Sequence, residues 1–307
     1  MIEDLKMQMI TKHRKILTYT TLDGFEVNAL LITPEFKNEN ELFEKPVIIN
    51  VHGVLGNFLA RGTPQILPPA LLNEGISTLS INTRMGFLGQ ILGEGIFEKA
   101  NLDIDESVKV LKKEGFKNIY VLGYSLGANL AVYYTTTAEN SDIKGLILEG
   151  CSYSLPDSQK KRLEKNKSIP QYEDIYKRAK HVLGSNPHDD RNDQVFIVYR
   201  AWGETFNPVD VEIFTYRTWW FMRSPEAEFA KTSNYISSVK IPVLFIHGED
   251  DNIVDPWEPK ELKKILNESG NNNISLTYIP DAKHDCMENP EGTVGAITNW
   301  LSDQIKG

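Results

Sequence analysis

A serine framed by two glycines is the feature of this sequence that points most directly to chemistry. Ser125 lies in the run Gly123-Tyr124-Ser125-Leu126-Gly127, with an apolar, β-branched run before it and a helical pattern of small residues after it. This order predicts a strand, a sharp turn and a helix, with the serine hydroxyl raised above the sheet. Glycine permits close backbone contact where a Cβ would clash. The pattern therefore predicts a nucleophile at Ser125, and the alternative is a serine that only caps the helix.

A serine hydroxyl is a weak nucleophile at neutral pH, so it needs a nearby base that an acid orients. The candidate bases are the six histidines of the chain, His13, His52, His181, His188, His247 and His284. His284 lies in a loop just past the last predicted strand, where an imidazole could reach Ser125. We therefore predict that His284 is the base, and the alternative is an ordinary surface histidine. His247 is expected to pack or hydrogen-bond within the sheet.

Strands and helices alternate along most of the chain, which predicts a largely parallel sheet with helices on both faces. An antiparallel hairpin is expected near the start, where Asp23-Gly24 separates two apolar runs. The predicted strands are 15–20, 25–33, 46–51, 75–81, 118–122, 143–148, 241–246 and 274–279, and the predicted helices are 103–114, one from 125 onward, 258–267 and 294–305.

Residues 152–235 interrupt this alternation. Residues 157–181 hold eight Lys or Arg against four acids, as in polar helices, and 191–235 hold eleven of the thirty aromatic residues. An insertion of this length between two core strands predicts a cap over the carboxyl edge of the sheet, where open α/β sheets bind ligands. We therefore expect a core of residues 1–151 and 236–307, with a cap of residues 152–235.

With these features the chain resembles the α/β-hydrolase superfamily, and within it serine hydrolases of the esterase, acyl-peptidase and feruloyl-esterase kinds. The resemblance covers about the first 150 and the last 70 residues. It implies an α/β fold with a mostly parallel central sheet, helices on both faces and an inserted helical cap. It also implies the order Ser, acid, His and places the acid at Asp251, three residues after Gly248. Asp250 and Asp255 are the alternatives.

The same resemblance implies two backbone amides that would bind the oxyanion formed when Ser125 attacks a carbonyl. One is the N–H of Leu126, and the other is the N–H of Val54 in the loop after the third core strand, with Leu55 as the fallback. This loop lacks the three-glycine run of lipases. His52 is expected to fix the loop by hydrogen bonding.

The residues that would contact a substrate are less clearly marked. Arg84 is predicted to brace the loops around the nucleophile, as in relatives, or else to bind an anionic group of the substrate. Aromatic residues of the cap, Trp202, Trp219 and Trp220, suggest an apolar or aromatic substrate group, and the alternative, expected for most of the cap aromatics, is that they form the core of the cap. The basic residues of 157–181 could attract an anionic substrate such as an acyl-CoA or form a solvated face. Cys151 and Cys286 either lie near the pocket or are small buried residues.

Composition excludes several classes of function. The chain of 307 residues is 41% hydrophobic with a net charge of −9, which disfavours nucleic-acid binding. Its two cysteines form neither a disulfide framework nor a zinc pattern. No apolar run approaches the ~18 residues of a membrane span, and the acidic start of the chain is unlike a signal peptide, so a cytoplasmic location is expected. We predict no cofactor and no metal, and a homodimer remains possible.

The predicted activity is hydrolysis of a carboxylic ester of a small molecule, or of a related thioester or amide, through an acyl-enzyme on Ser125. Serine rather than aspartate at this position argues against a dehalogenase or an epoxide hydrolase. The alternatives that use the same triad are a C–C bond hydrolase acting on diketones or ring-cleavage products, and a biosynthetic acyltransferase or cyclase. A non-enzymatic receptor for a small molecule is the remaining alternative.

Overall fold

One nine-stranded sheet organises the chain. The computed structural model describes residues 6–11, 13–35, 39–60, 62–138, 142–188, 194–203 and 211–306. Its strands are β1 (Lys6–Thr11), β2 (Arg14–Thr20), β3 (Glu26–Ile32), β4 (Pro46–Val51), β5 (Ser77–Ile81), β6 (Asn118–Tyr124), β7 (Ile143–Glu149), β8 (Val195–Val198), β9 (Glu212–Thr215), β10 (Val243–Gly248) and β11 (Ile274–Ile279).

The sheet is antiparallel at one side and parallel elsewhere. Its strand order is β1-β2-β3-β5-β4-β6-β7-β10-β11. The first four strands in this order pair antiparallel, and every pair from β5 to β11 is parallel. The predicted hairpin and the predicted largely parallel sheet are both confirmed. In a parallel sheet the carboxyl ends of the strands share one edge, so the loops after β4, β6, β7, β10 and β11 lie together.

Helices cover both faces of this sheet, as predicted. They are α1 (Glu39–Glu44), α2 (Thr63–Asn73), α3 (Phe87–Ile91), α4 (Asn101–Glu114), α5 (Leu126–Thr137), α6 (Leu155–Lys165), α7 (Tyr172–Leu183), α8 (Tyr216–Arg223), α9 (Glu258–Glu268) and α10 (Pro290–Lys306). Strand β4 shows the two faces: Val47 and Ile49 join the core under α4, α5 and α9, whereas Ile48 joins the core under α2 and α10. In the described ranges, no helix is both long and apolar enough to cross a membrane.

The segment between β7 and β10 folds outside the central sheet. It contains α6, α7 and α8, and also a two-stranded antiparallel pair, β8 with β9. The prediction of helices in 157–181 is confirmed, but the strand pair was not predicted. Its residues, Val-Phe-Ile-Val and Glu-Ile-Phe-Thr, are the β-branched and aromatic types that favour strands. Between the helices lies a small core of this segment, in which Trp219 packs against Tyr172 with ring centroids 5.4 Å apart.

The first turn of α5 lies almost in contact with the backbone of the sheet. A Cβ on Gly127 would lie 2.3 Å from the carbonyl oxygen of Val51 in β4, and one on Gly123 would lie 2.2 Å from the carbonyl oxygen of Gly127. No side chain fits at either position without a shift of the backbone. The two glycines of the motif therefore fix how closely the helix after Ser125 approaches the sheet.

Alanine at Gly127 should destabilise the protein by about 1–3 kcal/mol, the usual range for overpacking a core. Gly295 in α10 is the matched control, because it is also helical and a Cβ there meets no atom within 4 Å. Gly295→Ala should be neutral or stabilise by up to about 1 kcal/mol. Urea unfolding of the two variants and the wild type measures the difference. Equal stability of the two variants would contradict the packing described here.

Candidate active site

Ser125 is held in an unusual backbone conformation at the junction of β6 and α5. Its φ is 53° and its ψ is −120°, a region that a non-glycine residue adopts only when its surroundings enforce it. The Ser125 N–H donates to the carbonyl oxygen of Glu149 at 2.8 Å, and its carbonyl accepts from the N–H of Ala128 at 2.9 Å. These bonds anchor the backbone, so that the Ser125 side chain lies at the edge of a pocket.

The structure brings Ser125, His284 and Asp251 into one hydrogen-bonded chain. His284 Nε2 lies 2.9 Å from Ser125 Oγ, and His284 Nδ1 lies 2.8 Å from Asp251 Oδ2. Because a carboxylate accepts at Nδ1, that nitrogen carries the proton of the neutral ring, and Nε2 is left to accept from the serine hydroxyl. This is the arrangement in which a histidine removes the proton of a serine nucleophile.

Asp251 is fixed by the loop that follows β10. Its Oδ1 accepts from the N–H of Ile253 at 2.8 Å and from that of Val254 at 3.0 Å, while Oδ2 faces His284. Burial of Asp251 favours its neutral form, but the attraction and hydrogen bond of His284 and the Val254 N–H outweigh burial and lower the pKa of Asp251. The carboxylate is therefore charged and held in one orientation.

The two alternative acids do not take this position. Asp250 is exposed, and Asp255 forms an ion pair with Lys161. Of the three acids considered from the sequence, Asp251 is the one hydrogen-bonded to His284.

His52 holds the loop after β4 and stays neutral. Its Nδ1 donates to the carbonyl oxygen of Gly53 at 2.7 Å, and its Nε2 accepts from the N–H of Thr83 at 3.0 Å. Burial of His52 lowers its pKa to about 4. The ring thus ties this loop to the loop after β5, which is the role expected from the sequence.

The amides of Val54 and Leu126 are free to bind an acceptor in the pocket. Both residues line the same pocket as Ser125, and neither N–H meets a hydrogen-bond acceptor among the residues that the structure describes. Leu126 begins α5, where the first amides of a helix lack partners and the helix dipole is positive. Two such donors beside a nucleophile suit a developing oxyanion. Leu55, the fallback donor, does not line the pocket and has a φ of 56°.

The pocket beside Ser125 holds about 430 Å³ of empty space, open solvent at its mouth included, and is walled partly by the segment between β7 and β10. Of the three tryptophans predicted to contact substrate, Trp202 lines it. The other two predictions are wrong. Trp219 is fully buried between helices, and Trp220 stacks on Tyr176 with ring centroids 5.8 Å apart. They belong to the packing of the segment, the alternative considered from the sequence.

Arg84 does not line the pocket, so the alternative that it binds an anionic group of the substrate is wrong. The side chain is fully buried. Its Nε and Nη2 donate to Asp103 Oδ1 at 2.9 and 2.8 Å, and its Nη1 donates to Asp23 Oδ2 at 2.7 Å. With its charge balanced by two carboxylates, Arg84 braces the loop after β5, which is the role that the resemblance favoured.

Glu149 is a site residue that the sequence analysis missed. It ends β7, is fully buried, and accepts a hydrogen bond from the Thr63 hydroxyl at 2.6 Å. Burial raises the pKa of Glu149 to about 7. The available signal was an acid directly after the apolar run Leu146-Ile147-Leu148. Cys151 and Cys286 are both buried, and neither lines the pocket of Ser125.

Three polar side chains of the pocket wall were also not singled out. Gln159 and Arg162 come from α6 and Arg223 from the end of α8, and all three are buried. Arg162 belongs to the basic run 157–181, whose lysines Lys160 and Lys161 instead form exposed ion pairs. No local pattern distinguishes Arg162 from its neighbours in the sequence.

The family comparison matches the end of the chain. Residues 205–307 match the prolyl oligopeptidase family. The matched range contains Asp251 and His284 but not Ser125. This is about a third of the chain. No curated protein sequence matches significantly.

Solved structures match nearly the whole chain. An esterase of Pyrococcus furiosus, Pf2001, is 21% identical with a TM-score of 0.62, covering 94% of this chain and 90% of its own. Est1E of Butyrivibrio proteoclasticus with bound ferulic acid is 19% identical with a TM-score of 0.63, covering 93% and 98%. The alpha/beta hydrolase GrgF of a Penicillium species is 14% identical with a TM-score of 0.69, covering 96% and 99%. At these identities the likeness establishes the fold, so the predicted α/β-hydrolase fold is confirmed.

Replacing Glu149 by glutamine should remove a pH dependence of stability. With a pKa of about 7 in the folded state against 4.5 normally, the folded protein keeps this proton when the unfolded chain has lost it. Stability from this group is thus lost as the pH rises from about 4.5 through 7. As the pH rises from about 5 to 8, the free energy of unfolding of Glu149→Gln should increase by about 2–3 kcal/mol relative to that of the wild type.

Urea unfolding at the two pH values measures this difference. Glu94→Gln is the matched control, because Glu94 is exposed and water solvates its carboxylate in both states. If the free energies of unfolding of Glu149→Gln and the wild type differ by the same amount at both pH values, the buried carboxyl ionises normally.

Proposed function

We propose that this protein is a serine hydrolase that cleaves a carboxylic ester of a small molecule through an acyl-enzyme on Ser125. The hydrogen-bonded chain Ser125–His284–Asp251 at the edge of a pocket is the observation that carries this proposal. The esterase among the structural neighbours and the match to a peptidase family support acyl transfer to water.

The geometry suggests how each group acts. As Ser125 Oγ attacks the ester carbonyl, His284 Nε2 takes its proton, and Asp251 stabilises the imidazolium that forms. The carbonyl oxygen becomes an oxyanion that the amides of Val54 and Leu126 bind. Removing one such donor typically costs about 3–4 kcal/mol of transition-state stabilisation. His284 then gives the proton to the leaving alcohol, and water releases the acyl group by the same steps.

We further propose that residues 152–235 act as a cap that selects the substrate. Residues of α6 and α8 and the Trp202 side chain form the wall of the pocket opposite the strand ends. Trp202 offers an apolar surface, and the ferulic acid bound to Est1E supports an ester with an aromatic acyl group as one substrate to test.

A fluorophosphonate probe should label the wild type and leave Ser125→Ala unlabelled, because the probe reacts with serines that a base activates. Ser158→Ala is the matched control, since Ser158 lines the same pocket, whose described lining residues include no histidine. This variant should keep its labelling. Peptide mapping by mass spectrometry locates the adduct.

Hydrolysis of 4-nitrophenyl esters of increasing acyl length, feruloyl esters and aminoacyl anilides completes the test. Ester turnover should fall at least about 10³-fold in Ser125→Ala. Equal labelling or equal ester turnover in Ser125→Ala and the wild type would overturn the proposal. Turnover of vinylogous diketones without ester turnover would favour C–C bond hydrolysis instead.

A further inference from the structure

Two arginines share one carboxylate in the wall of the pocket that holds Ser125. Arg162 of α6 and Arg223 of α8 both line this pocket, with exposed fractions of 7% and 5%. Glu212, the first residue of β9, lies fully buried behind them. We call Arg162, Arg223, Glu212 and Gln159 the arginine cluster.

Glu212 is bound mainly by Arg162. Arg162 Nη2 lies 2.8 Å from Glu212 Oε1, whereas Arg223 Nη2 lies 3.7 Å from the same oxygen. Gln159 Nε2 donates to Glu212 Oε2 at 3.2 Å, and Gln159 Oε1 accepts from both guanidinium groups. Two cations therefore converge on one amide oxygen and one carboxylate.

The arginine cluster carries one positive charge that no described residue balances. Burial disfavours the charged form of Glu212, but both arginines outweigh burial and lower its pKa, so it is ionised. Burial and the nearby Arg162 lower the pKa of Arg223 only to about 10, so it is charged at neutral pH. Its Nε has no hydrogen-bond partner among the described residues. Because two buried cations share one carboxylate, one positive charge is in excess, and burying an uncompensated charge costs several kcal/mol, which an anion in the pocket would offset.

The position and surroundings of the arginine cluster favour a carboxylate as that anion. A guanidinium binds a carboxylate through parallel N–H donors, and such charge-assisted bonds are stronger than neutral ones. Arg162 also stacks on Trp202, with its Cζ 3.7 Å from the ring centroid, which fixes its plane beside an apolar surface. The exposed lysines of α6 offer no such enclosure, because Lys160 and Lys161 are paired with Glu173 and Asp255.

We propose that the arginine cluster binds a free carboxylate of the substrate, so that the ester cleaved at Ser125 belongs to a molecule with a second, anionic end. This inference rests on the proposed function and adds its substrate class. Because Ser125 and both arginines line the same pocket, one small molecule bound there would contact both. Short monoesters of dicarboxylic acids and acyl esters of hydroxy acids are the two forms that such a substrate can take.

Two matched ester series test the proposal. The first compares monomethyl succinate, glutarate and adipate with the methyl esters of fatty acids of the same length, followed by methanol release. The second compares acetyl esters of ω-hydroxy acids with alkyl acetates, followed by acetate release. In at least one series the wild type should prefer the anionic ester by about tenfold or more in kcat/KM, equivalent to one good charge-assisted contact.

Variants of the arginine cluster should shift this preference in opposite directions. Arg223→Gln should lower the ratio of anionic to neutral kcat/KM at least about tenfold, and Arg223→Lys should lower it less. Glu212→Gln should raise the ratio, because it removes the competing carboxylate. Arg178→Gln is the control, since Arg178 is an exposed arginine on the neighbouring α7. It should keep the wild-type ratio.

Competition of free glutarate with fluorophosphonate labelling gives a readout that does not depend on ester turnover. Glutarate should slow labelling of the wild type more than that of Arg223→Gln.

Labelling without protection by glutarate, together with no preference in either ester series, overturns this inference and leaves the proposed function standing. A third outcome is that calorimetry detects glutarate binding, that Arg223→Gln abolishes this binding, and that Ser125 is never labelled. This outcome supports carboxylate binding by the arginine cluster and overturns the proposed function. A ratio that Arg223→Gln and Glu212→Gln leave unchanged would show that the arginine cluster only braces the cap.

Discussion

Direct backbone contact between the start of α5 and the strands beneath it is the constraint on which the site depends. A Cβ at Gly123 or Gly127 would lie within 2.3 Å of a carbonyl oxygen, so the chain must turn between strand and helix with no side chain between them. That turn gives Ser125 its φ of 53° and leaves the amide of Leu126 without a partner among the described residues. One steric condition thus presents both the hydroxyl and an adjacent donor at the mouth of the pocket.

The parallel part of the sheet then supplies the partners. Strands β6, β7, β10 and β11 are consecutive neighbours, and the residues after their carboxyl ends lie in one row. Two carboxyl groups near His284, those of Asp251 and Glu149, have pKa values shifted in opposite directions. For Asp251, His284 and the Val254 amide outweigh burial and lower its pKa, whereas burial raises the pKa of Glu149 to about 7. Environments that push the pKa values of two acids apart are a mark of acid–base sites, and here they leave Asp251 as the charged partner of the imidazole.

Much of this architecture could be predicted from the sequence because its signals are local. The apolar strands, the glycine-framed Ser125 and the single histidine after β11 are all visible within short windows. The predictions that were wrong concerned the direction in which a side chain points. Arg84 donates hydrogen bonds to Asp23 and Asp103, which are 61 and 19 residues away in the sequence. Trp219 is enclosed by helices of its own segment. Arg162 looks like its lysine neighbours in the sequence, yet it alone among Lys160, Lys161 and Arg162 lines the pocket. Such outcomes depend on tertiary contacts that no local pattern encodes.

Acylation of Ser125 is the step that the proposed function requires, and trapping the acyl-enzyme shows whether it occurs. Acid quenching within milliseconds of mixing with a slowly deacylated ester, followed by mass spectrometry of the intact protein and its peptides, measures the adduct. We predict one acyl group per chain, on the peptide that contains Ser125, appearing before product accumulates in the steady state. Steady turnover with no adduct on Ser125, or with the adduct on another residue, would contradict the account.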